Sequence, residues 1–351
     1  MDITKANTFI SNSFLREFLS DKEITDITYN GKYLFYLHNK YGRKKSSVYI
    51  TEDEAKDFIR QVANLCEKQF SYQTPNLDAS IGTLRISATH PSIARKNSDK
   101  CLNFAIRIAK EPPIVDNDST FLNAELICLF QVLIKSQMSL VIAGVTGSGK
   151  TELQKYLINS MPDNTRLVII DNVLELDNLD SDRLDINIWQ ADEKNKEASI
   201  QNLVRNALRS NPDWLLVAES RGEEMVDVLN SAKTGHPIIT TIHAFDIDSV
   251  PSRIAGMVMM GPQRYDFRTL MKDIFYHFRF YAFLKRDIGE DGTVKRFISE
   301  VAYLDDRGTK FIFYKSDGHS YEINKVPEFL LKTLKYQKNH RFIKFYTEGK
   351  R

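Results

Sequence analysis

Apolar and polar positions follow two rhythms along this chain, and the change between them divides it. In the first third, apolar residues alternate with polar ones in short runs. The runs at 24–29, 33–38 and 47–50 predict strands, with turn signals at Asn30-Gly31 and Tyr41-Gly42-Arg43 between them. Asn-Gly between two alternating runs predicts a hairpin. Ahead of them, residues 1–21 read as one short amphipathic helix presenting Phe9, Phe14, Leu15 and Leu19. After them, Thr51 is placed to cap a helix over 52–67, with Glu54 as its capping-box partner. Ala55, Phe58, Ile59, Val62, Ala63 and Cys66 recur in it at helical spacing. Residues 82–88 and 102–108 again predict strands. Pro112, Pro113 and the polar DNDST behind them mark a boundary, so residues 1–115 are expected to form a small α+β domain.

From there the runs become largely apolar. Those at 140–143, 166–170, 214–218 and 238–242 are separated by helical stretches that include 196–209 and 223–233. Buried strands joined by helical crossovers predict an α/β domain over 116–351, with a mainly parallel sheet covered on both faces. Sites in such sheets lie at the carboxyl ends of the strands. The run at 126–134, LICLFQVLI, is too short to span a bilayer and reads as a buried helix. Residues 275–304 return to strand pairs around Gly289 and Gly292, and the end of the chain predicts a strand pair and a basic helix.

One junction in this pattern carries chemistry. The strand at 140–143 runs into Gly144-Val145-Thr146-Gly147-Ser148-Gly149-Lys150-Thr151-Glu152 and then a helix over 152–158. This is G-x-x-x-x-G-K-[ST] in strand–loop–helix context. Glycines let backbone N–H groups close around phosphate oxygens, and the helix turns its positive end toward the same anion. Lys150 is placed for the β- and γ-phosphates, and the Thr151 hydroxyl for Mg²⁺. A flexible glycine turn without a ligand is the plainer alternative.

Composition narrows the rest. The 351 residues suit about two domains. With 48 basic and 46 acidic residues the net charge is +2, which gives no overall argument for nucleic acid or membrane binding. Cys66, Cys101 and Cys128 form no C-x-x-C pair, so buried thiols in a reducing compartment are expected. The first residues carry scattered charge and no long apolar core. A cytoplasmic protein is expected, with any membrane contact peripheral, at the inner face of the cell membrane.

Further carboxylates and histidines fall at strand ends. WLLVA runs into Glu219, suited to orient Mg²⁺ through water or to activate an attacking water. RLVII delivers Asp171, with Glu175 four residues on; a charged loop after a buried strand is the other reading. His236 and His243 flank the 238–242 strand. No cysteine or third histidine lies near them, so zinc is not expected. A neutral histidine can donate a hydrogen bond to a γ-phosphate, although His243 reads equally as a satisfied buried side chain.

Taken in order, residues 144–151, 170–176, 212–224 and 234–244 resemble the secretion traffic ATPases. That family includes VirB-type type IV secretion motors, Tad pilus motors, and type II secretion and type IV pilus motors. The four segments correspond to its Walker A loop, Asp box, Walker B segment and His box. NPDWLLVAESRGEE is similar to its R-P-D-x-x-x-x-G-E-x-R-x-x-E, and TPNLDASIGTLRISA and IRI to its amino-terminal half. The resemblance implies a RecA-like P-loop ATPase domain behind a smaller α+β domain, working as a hexamer with ATP and Mg²⁺. It implies a catalytic or water-orienting Glu219 and supporting Arg221 and Glu224. It puts His236 and His243 on the two His-box positions, and Arg85 and Arg107 where amino-terminal arginines approach a neighbouring subunit's γ-phosphate. Inner-membrane secretion or pilus proteins are the implied partners.

The chain departs from the pattern at Ile170-Asp171-Asn172, where I-E-D is usual, and at Ala218, where Gly precedes the Walker B glutamate. Two other readings stay open: a nucleic-acid motor, against which the balanced charge and the histidine motif argue, and a regulatory nucleotide-binding scaffold with slow hydrolysis. Arg85 and Arg107 read also as surface ion-pair residues. The tail over 332–351 carries Lys332, Lys335, Lys338, Arg341 and Lys344 with Phe342 and Tyr346 and reads as a solvated helix face, or else as a contact for a membrane or partner.

Overall fold

A computed structural model describes residues 3–108, 121–176, 179, 182–192 and 195–348. By their contacts the residues group into two units. One is Met1–Pro112 with Asp287–Lys295, the other Pro113–Arg286 with Arg296–Arg351. The boundary expected at Pro112 and Pro113 lies outside the described residues. The segment 287–295, expected in the second domain, groups with the first unit, where Val294 N donates to Asn39 O at 2.9 Å.

The first unit begins with two helices, α1 (Ile3–Ser11) and α2 (Leu15–Leu19), where one was expected. Ser13 separates them: its hydroxyl donates to Ile10 O and accepts from Leu15 N, a local alternative to the helical ladder. The strands are β1 (Ile24–Tyr29), β2 (Leu34–His38), β3 (Gly42–Lys45), β4 (Asn76–Ile81), β5 (Leu84–Thr89) and β8 (Asn103–Ile108), in the order β3-β2-β1-β8-β5-β4. A two-stranded ribbon, β6 (Arg95–Lys96) and β7 (Asp99–Lys100), stands apart. All the pairings of the larger sheet are antiparallel.

The expected hairpin at Asn30-Gly31 joins β1 to β2, with Gly31 at φ +87°. The strand expected at 47–50 lies outside the sheet, and Gly42–Lys45, which overlaps the turn read at Tyr41-Gly42-Arg43, pairs with β2 instead. It is an edge strand carrying Arg43, Lys44 and Lys45. Charge protects an exposed edge, and an apolar pattern does not register it. Helix α3 (Glu52–Leu65) has the predicted capping box, with Glu54 N on Thr51 Oγ1 at 3.2 Å and Thr51 N on Glu54 Oε2 at 2.7 Å. Such a cap contributes roughly 1 kcal/mol. Its Ala55, Phe58, Ile59 and Val62 pack with Leu77, Ala79, Ile86, Ala88 and Ile106 of the sheet.

The second unit is built on a nine-stranded sheet. In chain order it contains α4 (Ala124–Lys135), β9 (Leu140–Gly144), α5 (Lys150–Asn159), β10 (Arg166–Asp171), β11 (Asp185–Gln190), α6 (Ile200–Ala207), β12 (Trp214–Val217), α7 (Met225–Lys233), β13 (Ile238–Ile242), α8 (Val250–Val258), α9 (Phe267–His277), β14 (Phe280–Ile288), β15 (Val294–Leu304), β16 (Lys310–Ser316) and β17 (Tyr321–Ile323). The sheet order is β11-β10-β12-β13-β9-β14-β15-β16-β17. From β11 to β14 it is parallel; β15, β16 and β17 pair antiparallel. Alternate residues bury on opposite faces. Leu140, Ile142, Leu167, Ile169 and Leu216 share a cluster with α4 and α5, while Val141, Ala143, Val168, Ile170, Leu215 and Val217 share one with α6, α7, α8 and α9.

Three expectations need adjusting here. Strand pairing begins at Phe280, not 275, because α9 runs on to His277. The helix expected over 196–209 is regular only over Ile200–Ala207, where Ser199 caps it. Through residue 348 the basic tail keeps Lys332, Lys335, Lys338, Arg341 and Lys344 exposed, as a solvated face requires, but it is not one continuous helix. It makes short turns that bury Leu334, Phe342 and Tyr346, and Tyr346 Oη donates to the Glu125 carbonyl at 3.1 Å. Among the described residues no helix is long and apolar enough to cross a membrane.

Candidate functional site

The parallel register brings four strand ends together. Ala143 lies beside Ile242, Val217 beside Thr240, and Ile170 beside Val217. The residues that follow these strands, 145–151, 243, 219 and 171–175, therefore share one edge of the sheet, as expected for this topology.

The glycine loop leaves β9 and enters α5. Gly147 at φ +73° and Gly149 at φ +100° have backbone that L side chains rarely adopt, and a Cβ on Gly149 would lie 2.9 Å from the Phe121 ring. Val145 and Thr146 are exposed, whereas Ser148 is fully buried and its hydroxyl has no hydrogen-bond partner among the described residues. Lys150 is buried, with Nζ turned back on the loop carbonyls of Gly144 (3.0 Å) and Val145 (3.1 Å). Carbonyl dipoles hold the buried ammonium where phosphate oxygens would compensate it better. Glu152 pairs along the helix with Lys155 at 3.3 Å.

Thr151 Oγ1 donates to Glu175 Oε2 at 2.8 Å, joining the loop to the segment after β10. Asp171 behaves differently from Glu175. Its side chain is buried, and its carboxylate accepts from Val173 N at 2.9 Å and Leu176 N at 3.3 Å. Burial, reinforced by the Glu175 charge, pushes its pKa up against those N–H bonds. Asp171 thus shapes the loop that carries Glu175, and Glu175 is the carboxylate facing the glycine loop.

Glu219 sits between two partners: Arg221 Nη2 donates to Oε2 at 2.5 Å, and His243 Nε2 lies 2.8 Å from Oε1. Burial alone would raise the Glu219 pKa, but the Arg221 bond and charge, with His243 and Lys150, bring it below the usual range. His243 is held below its ordinary value by burial and by the Lys150 charge, against the pull of Glu219. A lowered His243 is the neutral imidazole near pH 7, so its 2.8 Å contact with Glu219 is not a pairing of two full charges. Glu224 Oε1 accepts from Arg221 N at 2.5 Å and Gly222 N at 2.9 Å, fixing the turn into α7.

His236 is not part of this group. It precedes β13 while His243 follows it, so the two lie at opposite ends of the strand; His236 Nδ1 is 3.0 Å from Thr234 Oγ1. Arg85 and Arg107 belong to the first unit, directly opposite each other on β5 and β8, with Arg107 Nε 3.4 Å from Asp26 Oδ1.

Some side chains around the site were not singled out from the sequence. The Ala218 carbonyl, one residue before Glu219, accepts from Gln154 Nε2 at 3.2 Å and Thr241 Oγ1 at 2.8 Å, and Ser220 Oγ is 2.9 Å from Thr240 Oγ1. The signal was present as two threonines inside an otherwise apolar buried strand. An oxygen-rich set of Thr151, Glu175 and Glu219 beside a lysine and a glycine cradle suits a phosphate chain with a hard divalent cation such as Mg²⁺.

A family model described as "Type II/IV secretion system protein" matches residues 88–272. An uncharacterized protein of Bacillus anthracis is 28% identical over 319 residues, covering 88% of this chain and 69% of that protein. The type IV secretion system protein VirB11 of Brucella suis is 36% identical over 134 residues, a match spanning 37% of either chain. In fold, the chain resembles the ATPase DotB of Legionella pneumophila, with a TM-score of 0.60 at 20% identity over 84% of this chain and 80% of that one.

Proposed function

The chain belongs to the type II/IV secretion system protein family, and from that premise we propose that it is a P-loop, RecA-like ATPase that powers a membrane secretion or pilus machine. The observation that carries this reading is the convergence of the Lys150 loop, the Thr151–Glu175 pair and the Glu219–His243 pair at one sheet edge. In this reading the 145–149 amides and Lys150 bind the β- and γ-phosphates of ATP. The Thr151 hydroxyl, with Glu219 and Glu175 nearby, would hold Mg²⁺, which would supply charge neutralisation of the phosphates. Glu219 orients or deprotonates the attacking water, and Arg221 and His243 set its charge and direction.

The active form is a homo-oligomer, a hexameric ring, in which Arg85 and Arg107 reach a neighbour's phosphates. Its partners are inner-membrane components of the secretion or pilus system, and its place is the cytoplasmic face of that membrane. The test is ATP binding and hydrolysis by wild type, Lys150→Ala and Glu219→Gln. Lys150→Ala is expected to lose binding. Glu219→Gln is expected to keep binding and lose turnover by about a hundredfold or more. A folded Lys150→Ala protein that hydrolyses ATP like the wild type overturns the reading.

A further inference from the structure

Two arginines outside the recognised motifs close over the phosphate loop from the neighbouring strands. β14 runs parallel to β9 with Leu284 beside Gly144, so the chain two residues beyond Leu284 lies alongside the loop. Arg286 stands there. A Cβ built on Gly147 would sit 3.0 Å from Arg286 Nη1 and 4.0 Å from Cζ, so the guanidinium lies directly on the glycine backbone. From the next strand, Arg296 Nε donates to the Gly147 carbonyl at 2.8 Å. The hairpin closes with Gly289 N donating to Thr293 O at 2.9 Å. Arg286 and Arg296 are each three residues from that closing pair, so a regular ladder sets them opposite one another on one face.

Like charges directly opposed across two strands destabilise the pair. Here Arg296 is directed to a loop carbonyl. Arg286 has no ion-pair or hydrogen-bond partner among the described residues, although its side chain is half-buried. A guanidinium held against a glycine-rich anion cradle, without a carboxylate of its own, is arranged for an anion that the loop also binds. The side chain of any other residue at 147 would occupy the space it uses.

We propose that Arg286 is a phosphate ligand contributed in cis, contacting the nucleotide's phosphate chain over Gly147, and that Arg296 is a positioning residue that fixes the loop through the Gly147 carbonyl. This rests on the reading of the loop as a nucleotide site. It adds a cationic wall to that site from the same chain, separate from any arginine supplied by a neighbour.

The test is equilibrium binding of a fluorescent ATP analogue, and of ATP by competition, to the full chain. Wild type, Lys150→Ala, Arg286→Ala, Arg286→Lys and Arg296→Ala are compared. Arg286→Ala is expected to weaken binding about tenfold or more and to flatten its salt dependence, as loss of one charge-assisted contact does. Arg286→Lys should recover part of the loss, and the melting temperature without nucleotide should stay that of the wild type. Arg296→Ala should speed amide exchange over 145–149 in the absence of nucleotide. If Arg286→Ala binds within twofold of wild type while Lys150→Ala does not bind, the arginine proposal is wrong and the nucleotide site stands. If the wild type itself binds no nucleotide, both fall. If Arg286→Ala unfolds, an Arg286→Lys protein that folds and binds no better than background also overturns the proposal, since a lysine keeps the charge.

Discussion

Thr151 Oγ1 and Glu175 Oε2 are hydrogen-bonded at 2.8 Å, so the residue that closes the glycine loop is tied to the segment after β10. A threonine hydroxyl that donates to a carboxylate keeps its lone pairs for a cation, and the carboxylate adds negative charge beside it. Glu175→Ala should therefore raise the Mg²⁺ concentration needed for half-maximal turnover, by about tenfold for one lost charged hydrogen bond. ATP binding in the presence of a chelator should be unchanged. A Mg²⁺ titration at fixed ATP reads this, and an unchanged midpoint would show that Glu175 has no part in holding the ion.

Asp171 is expected to act on stability more than on chemistry. Replacing it with Ala leaves the Val173 and Leu176 N–H groups without their acceptor in a buried setting, at a loss of about 1–3 kcal/mol. Urea unfolding should show that loss, with Mg²⁺ dependence changed less than in Glu175→Ala. The reverse ranking would return the Mg²⁺-facing role to Asp171.

That contrast shows what the sequence made legible. An apolar run such as Leu167–Ile170 announces itself, because both faces of the sheet are covered and each of its positions is buried. The glycine loop does too, since its backbone demands particular residues at fixed spacing. Which of two carboxylates four residues apart turns toward the loop depends on backbone N–H groups at 173 and 176, and no spacing rule reports that. The edges were hidden for the same kind of reason. Gly42–Lys45 pairs through its backbone while its side chains are charged, and β11 is only half-buried. Arg286 and Arg296 were invisible because strand order, not chain order, puts β14 beside β9.

Arg221 gives a prediction in pH. The Glu219 carboxyl is half-buried, which raises its pKa, and the Arg221 bond and charge outweigh that and lower it. With Arg221→Ala the lowering contribution is removed and the burial remains, so the pKa rises. The acid limb of the kcat/KM profile should then move to higher pH, by about one unit for a close charge, and turnover at neutral pH should fall less than in Glu219→Gln. If the acid limb stays where it is in the wild type, Glu219 is not the group that titrates there.

Arg85 and Arg107 lead to the last expectation. They face each other on β5 and β8 of the first unit, and Arg107 leans on Asp26 at a long 3.4 Å. A guanidinium pair of this kind suits the phosphate of a neighbouring subunit. In a closed ring every subunit repeats the same heterologous interface, so a pair that receives phosphate from one neighbour is matched by a loop served by the other. Hydrolysis should then depend on arginines and glycine loop together, from different chains. Lys150→Ala alone and the Arg85→Ala, Arg107→Ala double variant alone should each be nearly inactive. Mixed, they form rings in which some intact loops meet intact arginines, and part of the turnover should return with a bell-shaped dependence on mixing ratio. ATP should also tighten assembly, because it binds the joined form better than the separated one. A mixture that stays inactive although light scattering shows mixed oligomers removes the arginines from the reaction. A wild type that is fully active as a monomer at every concentration removes the ring.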